Sequence, residues 1–590
     1  MAKRNLAWQL VSSLCVFLSQ HAFAEEVSVI NPDDYRHLCG KVFLEKKQKL
    51  ELKDMEQRLI CGDSSGDQIG TAWASIPANQ ASFFLSSFLQ SRAYHKPQMD
   101  IIAGNLYVKL GPKFRAGTFT LKNEPPAWEI PNRRYVRGRL LEPTLLDELE
   151  GWGEYQLKMN GYACGEATVL SDPSTGEIEV RLEPKDRLRI RQVVDESATG
   201  LRGGVMERYN AFVMGDYYNQ RMVDLTQRRI AEEGVVSTID FKPRCEKDGV
   251  TLLRRIDLGP SRQLRIGVGG STDEGPRVRL NVRQTRVGSS ASTAQANLDM
   301  SFEKQVANAS IRWYYSRTLT SFFLEPVAEF SNVTEENRKE QIFNTTLFHG
   351  WFYNFRPTSL TMRLGPNYSE NFLIEGVGPR RSTLTVLSAD LSLMDHDWEF
   401  FKRSPREGYN QTLDLIFAQE GVGSQFTAHR ARYQGQHIFN IGYFDPPMAI
   451  LGFRWSAGST FATQDLRSQL PTRFQFFGGG TGSLRGWESE QLPREGAAFS
   501  EIRIGTELRF YKLLFNMVDP FVFADIGRLG DINFRLSTPT FFSPGFGLRW
   551  ESPVGAVRGF LAQPVVWGIP NGEPEYKQSM RLGVTLGEEF

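Results

Sequence analysis

Beyond its first two dozen residues the chain has no apolar run approaching the roughly 20 residues that a membrane-spanning helix needs. If it spans a bilayer, it does so as a closed β-barrel. A charge imbalance is also missing. The 69 basic residues face 68 acidic ones, so there is no general pull toward nucleic acid. Histidine is scarce, and no nucleophile elbow, zinc spacing or catalytic carboxylate pair stands out. Asp395-His396-Asp397 carries metal-ligand chemistry but reads as a solvated tip loop. Gly267-Val268-Gly269-Gly270-Ser271-Thr272 looks like a phosphate loop, yet it lacks the lysine and the following helix, and reads as a glycine-rich first strand and hairpin. No enzyme activity, cofactor or metal is therefore expected. Cysteine is sparse too. Leaving out Cys15 near the start, the four that remain are Cys39, Cys61, Cys164 and Cys245, with three possible connectivities. Cys39–Cys61 is the local choice and would brace the N-terminal domain. It leaves Cys164 to pair with Cys245, or both as free thiols.

What is present begins with a secretory leader over residues 1–24. Lys3 and Arg4 form its charged start and Leu10 to Leu18 its apolar stretch. Ala22-Phe23-Ala24 is a small-x-small cleavage site, and Leu14 before Cys15 is too large for lipidation. From about residue 45 to 260 a helical pattern runs three times into a glycine turn and two alternating strands. The first helix carries Phe84, Leu85, Phe88 and Leu89, with strands over Ile101 to Leu110 and Phe114 to Leu121. The second carries Leu145, Leu149 and Trp152. The third opens with Gly215-Asp216-Tyr217-Tyr218, carries Met222 and Leu225, and leads into Val235 to Phe241 and Val250 to Ile256. A repeat of about 70 residues with helices on one face of a small sheet is an α+β module.

From about residue 261 the period becomes two. Val278, Leu280 and Val282 alternate with Arg277, Arg279 and Arg283. Ile502, Ile504, Leu508 and Phe510 alternate with Glu501, Arg503, Glu507 and Arg509. Met580, Leu582, Val584 and Leu586 alternate with Arg581, Gly583 and Thr585. Apolar-out, charged-in alternation over about ten residues is the pattern of a membrane barrel. Within this region lies a loop, Gly478-Gly479-Gly480-Thr481-Gly482-Ser483-Leu484-Arg485-Gly486-Trp487, whose glycines permit tight folding. Asp525 and Glu507, each in a strand-like segment that follows, are carboxylates available to Arg485.

Leu484-Arg485-Gly486-Trp487 together with Phe523-Ala524-Asp525-Ile526-Gly527 resembles the signature of the outer-membrane assembly-barrel superfamily that includes BamA, TamA and the two-partner secretion transporters. In that superfamily a loop folds into the barrel lumen and its arginine touches an F-x-D-x-G strand. Val557-Arg558-Gly559-Phe560 matches the loop string literally but sits in an alternating strand, and reads as a decoy. The repeats resemble POTRA domains, the periplasmic modules of the same superfamily. The resemblance implies an N-terminal region and first module over 25–120, a second over 121–187, a third over 188–260 and a transmembrane antiparallel β-barrel over 261–590. Five strands follow the loop and eleven or twelve candidates precede it. If the modules and the C-terminus share the periplasm, the total must be even, which selects eleven and makes sixteen.

Three modules and sixteen strands are most similar to the TamA branch, as are Gly545-Phe546-Gly547-Leu548-Arg549-Trp550 and the ending Leu586-Gly587-Glu588-Glu589-Phe590. That resemblance implies a Gram-negative outer membrane, with the modules in the periplasm. It implies a TamB-like partner anchored in the inner membrane, and unfolded outer-membrane proteins, autotransporters among them, as clients. A barrel that templates clients in the lipid bilayer needs a weak seam. Gly267, Gly269 and Gly270 in the first strand and Gly583 and Gly587 in the last are the candidates, since glycine weakens strand pairing. Phe590 would serve as the terminal export signal. Two other functions fit the architecture: a two-partner secretion transporter for one dedicated substrate, and the outer-membrane anchor of a lipid-transport bridge.

Overall fold

The structure, a computed structural model, describes residues 31–62, 76–126, 128, 130, 132–316, 321–335, 338–355, 358–493, 496–514, 517–552, 555–568 and 579–587. The expected leader and Phe590 lie outside them. The described residues fall into two compact units. One holds residues up to Thr120 with Val136–Glu148 and Val169–Glu179, and the other holds Leu121–Tyr135, Leu149–Thr168 and the chain from Val180 onward.

In the first unit a sheet runs in the order Tyr35–Cys39, Val42–Glu45, Asn105–Lys109, Gln98–Ile102. Helix Ala78–Ser91 lays Ala81, Leu85 and Leu89 on it, the four-residue spacing of one helical face. Phe84 and Phe88 are only half-buried at its edge. The Cys39–Cys61 disulfide ties a strand end to the end of helix Asp54–Cys61. The expected strand over Phe114 to Leu121 shrinks to Phe119–Lys122. The backbone N–H of Phe114 is taken by the Ala93 carbonyl at 2.9 Å and that of Ala116 by Arg139 at 2.8 Å, so neither is available to a sheet. A further sheet has the order Phe119–Lys122, Glu177–Glu183, Glu166–Asp172.

The second unit contains the last module and the barrel. In the module, helix Gln220–Glu232 is capped by Asn219, whose side chain accepts from the Met222 N–H at 3.2 Å. Val223, Leu225 and Ile230 are buried, and Tyr218 of the Gly-x-x-Tyr string is 1% exposed. The sheet beside them is Ile190–Asp195, Gly249–Asp257, Thr238–Glu246, with the first two strands parallel. A Cys164–Cys245 disulfide is present.

Sixteen antiparallel strands close the barrel among the described residues. Eleven run from Arg262–Ser271 to Ala449–Phe461, and Ser500–Phe510, Val518–Gly530 and Thr540–Ser552 follow the long loop. The fifteenth is Gly555–Ala562 continued by Val565–Trp567. Gly545 opposes Ala562 and Phe542 opposes Val565, so the register is continuous and Pro564, with no N–H to donate, only interrupts the ladder. The last strand is Arg581–Leu586. Leu264, Ile266 and Val268 are 63–71% exposed, whereas Glu501, Glu507, Arg509 and Thr585 are buried. A soluble sandwich has the opposite arrangement; apolar side chains outside and charges inside suit a wall facing lipid.

The last module is fixed to one rim of the barrel by ion pairs. Arg229 holds Glu399 through two parallel hydrogen bonds at 2.7 and 2.8 Å, and Arg221 pairs with Asp397 and, at 3.4 Å, with Glu407. Burial, with the Asp397 charge adding to it, pushes the Glu407 carboxyl up. Burial alone would lower Arg221, but Asp397, Tyr155 and Glu407 hold it above its ordinary value. Asp395-His396-Asp397 is therefore not a solvated tip. It opens the short helix His396–Phe400, which packs on the module helix.

Candidate functional site

The segment between the eleventh and twelfth strands turns back against the inner barrel wall. Gly478 and Leu492 exchange backbone hydrogen bonds at 2.9 Å and close its neck, and Gly480 N–H donates to the Trp487 carbonyl at 2.9 Å. Gly479 and Gly480 have φ of 109° and 88°, a region that L side chains avoid, and a Cβ on Gly479 would stand 2.0 Å from the Glu488 carbonyl oxygen. Gly486 is needed for approach: its Cβ would meet Ser543 Oγ at 2.6 Å and Pro564 at 3.0 Å. Gly482 is different. Nothing lies within 4 Å of a Cβ there, so its expected role in bending the loop has no steric basis.

Arg485 reaches both carboxylates. Its Nε and Nη2 each donate to Asp525 at 2.8 Å, Nη1 donates to Glu507 at 2.6 Å, and its backbone N–H reaches Asp525 at 3.2 Å. The guanidinium also stacks over Phe523, 3.5 Å from the ring centre. Arg485, Asp525 and Glu507 are 1–3% exposed, so the pair lies in a dry wall and not in a water-filled channel. Leu484 and Trp487 join an apolar cluster with Phe476, Leu492, Leu529, Phe541 and Val566. Trp487 meets Phe541 edge-on at 5.3 Å. The four-residue motif thus lies along strand Val518–Gly530 and its neighbours, with its charge on Asp525, its apolar side chains beside Leu529 and Phe541, and glycine where the backbone is closest.

Four further residues of this network are not singled out as site residues by any sequence motif. Arg454 donates to Asp525 at 3.0 Å and to the carbonyls of Thr481 and Ser483 at 3.1 and 2.8 Å. Arg558, from the string read as a decoy, donates to both oxygens of Glu507 at 2.9 and 2.7 Å. The string is not a second loop motif, but its arginine belongs to the same cluster. Arg581 donates to the Arg485 carbonyl at 2.9 Å and to that of Trp487, and pairs with Asp273. Asp273 in turn accepts from the Thr481 N–H at 2.9 Å. The signal for Arg454 is its row: Arg454 opposes Gly505, and Gly505 opposes Asp525. A Cβ on Gly505 would stand 2.6 Å from Arg454 Nε and 2.7 Å from Asp525 Oδ1, so the glycine is the gap through which they meet. Such a row is visible only once the register is known.

Among the described residues the ladder between first and last strands is short, with Gly270 opposite Leu586 and Ser271 opposite Thr585. From Arg262 to Gly269 the first strand has no ladder partner on that side among the described residues. The glycines have separate roles there. A Cβ on Gly269 would lie 2.7 Å from the Leu586 carbonyl, and Gly587, with φ of 78°, ends the strand by donating to Ala556 at 2.8 Å. Gly270 abuts the Gly275 carbonyl of its own hairpin, at 2.9 Å from a Cβ, while Gly267 is sterically open. Gly583 lies under the Phe560 ring, where a Cβ would come within 2.1 Å, so it serves the other neighbour of the last strand.

A family model described as the Omp85 superfamily domain matches residues 258–590. Among solved structures, the chain is similar to BamA from Haemophilus ducreyi lacking POTRA domains 1–3, at 14% identity over 80% of this chain and 99% of that one, with a TM-score of 0.48. It is similar to CdiB from Acinetobacter baumannii at 12% identity over 80% and 89% of the two chains, with a TM-score of 0.45. It is similar to CdiB from Escherichia coli at 13% identity over 86% and 97%, again with a TM-score of 0.45.

Proposed function

The chain belongs to the Omp85 superfamily, and from that premise we propose that it assembles β-rich proteins, autotransporters among them, into the outer membrane as the barrel of a translocation and assembly module. The observation that carries this reading is the edge from Arg262 to Gly269, which has no ladder partner on the seam side among the described residues. An unpaired edge offers N–H and C=O groups to an incoming extended chain, which adds as a strand. The outward Leu264, Ile266 and Val268 keep that edge at the lipid-facing surface, where the new strand's own apolar side chains belong. With the short ladder opened, the edge extends through Ser271. The modules receive clients in the periplasm, and a TamB-like partner delivers them to the first module or to the seam.

The test locks the ladder. The register sets Ser271 opposite Thr585, while Val584 lies beside Thr272, which donates to the Val584 carbonyl at 2.9 Å. A Ser271→Cys, Thr585→Cys pair therefore closes the seam, whereas a bridge from Ile266 to Val584 would be out of register. Oxidised protein in liposomes is expected to lose assembly of a urea-denatured autotransporter β-domain, and reductant is expected to restore it. Undiminished assembly through the locked seam would overturn templating.

A further inference from the structure

Asp273 and Arg581 stand on opposite sides of the seam. Asp273 is in the turn that joins Arg262–Ser271 to the second strand, Gly275–Val287, and Arg581 opens the last strand. Their ion pair extends the ladder. Beyond Ser271–Thr585, Thr272 and Val584 exchange bonds of 2.9 and 3.2 Å, and the Asp273–Arg581 pair follows. The Asp273 side chain is 4% exposed and that of Arg581 12%. The pair is thus largely sheltered from water, where opposite charges attract more strongly than at an open surface.

Both partners also hold the lumen loop. Asp273 accepts from the Thr481 N–H, and Arg581 donates to the carbonyls of Arg485 and Trp487. Gly480 permits this closeness, since a Cβ there would stand 3.3 Å from Asp273 Oδ2. The first hairpin, the last strand and the loop therefore meet at one pair of side chains. Separating the strands breaks the pair and leaves each member with only its loop contact, while withdrawing the loop removes a backbone partner from each member.

We propose that Asp273 and Arg581 form a latch across the seam, clasped by the lumen loop, so that loop release and seam opening occur together. The proposal rests on the reading that the seam opens, and names what holds it shut. Arg485 anchors the loop to the fixed wall of strands Ser500–Phe510 and Val518–Gly530, whereas Arg581 anchors it to the wall that must move.

Gly482 supplies a reporter, because its surroundings leave room for a side chain. Gly482→Cys in the full chain, reconstituted in liposomes, is labelled with a membrane-impermeant maleimide. Heat-modifiable gel migration first establishes that each variant is folded. Asp273→Asn is expected to raise the labelling rate about tenfold or more, the effect of losing one sheltered ion pair. Arg581→Gln should match it, and Arg581→Lys, which keeps the charge without the fork, should fall between. The Ser271→Cys, Thr585→Cys lock adds two thiols, so labelling is read only on molecules that non-reducing gel migration shows to be oxidised at the seam. The lock should slow labelling and suppress most of the Asp273→Asn effect. Wild-type labelling in both folded Asp273→Asn and folded Arg581→Gln, or rates indifferent to the lock, would overturn the latch. These readouts involve no client. A latch that behaves as stated beside full assembly through a locked seam would sink templating alone, and an absent latch beside blocked assembly would sink the latch alone.

Discussion

Replacing Arg485 by alanine tests the centre of the site. The change removes two side-chain bonds to Asp525 at 2.8 Å, one to Glu507 at 2.6 Å and the stacking on Phe523. At an exposed site such a pair contributes about 1 kcal/mol or less. Here all three residues are at most 3% exposed, so the relevant scale is that for breaking a buried pair, about 3–5 kcal/mol. The lower end applies, because Asp525 keeps Arg454 and Glu507 keeps Arg558. A cost of about 3 kcal/mol corresponds to roughly two orders of magnitude in the population of released loop, at about 1.4 kcal/mol per tenfold. The assay is protease nicking between residues 478 and 487 in folded, heat-modifiable protein, with the rate compared to wild type. Nicking within about threefold of wild type, under 1 kcal/mol, would refute the claim that the arginine holds the loop. The neighbours also decide the charge reversal. In Arg485→Asp with Asp525→Arg the new aspartate would face Glu507 and the new arginine would face Arg454, so the exchange should recover little. A cycle of Arg485→Ala with Asp525→Ala should instead show coupling of about 1–3 kcal/mol.

Other expectations are simpler. Gly505→Ala should lower heat resistance markedly, since its Cβ would meet Arg454 and Asp525 inside 2.8 Å, whereas Gly482→Ala should be neutral; thermal shifts of heat-modifiable migration for the two compare them directly. Arg229→Ala should strip Glu399 of a fork-like partner, cost about 2–3 kcal/mol and raise hydrogen exchange in helix Gln220–Glu232, while unchanged protection would mean that the apolar contacts suffice. Deleting Phe590 should lower membrane yield if the terminal strand is read as an export address, and quantitative blotting of the membrane fraction measures it.

The sequence by itself determined the class of fold and the loop around which the site is built. Alternation of Ile502, Ile504, Leu508 and Phe510 with charge names a strand and its two faces without any partner, because side chains in a strand point alternately to opposite sides. A string of glycines ending in one arginine marks a backbone that must bend and approach a wall, and Asp525 and Glu507 are carboxylates in the strand-like segments that follow it. Which strands bring their charges to the same height is a different kind of information. Arg454 meets Asp525 across Gly505, Arg558 meets Glu507, and Arg581 meets Asp273, at separations of up to 308 residues between partners. Those meetings depend on register and on closure of the ring, and a one-residue slip would turn each side chain to the lipid. The same closure leaves the seam side of Arg262 to Gly269 without a ladder partner among the described residues. Pattern is a property of neighbours along the chain and can be read there; pairing is settled only when sixteen strands must close on one another at once.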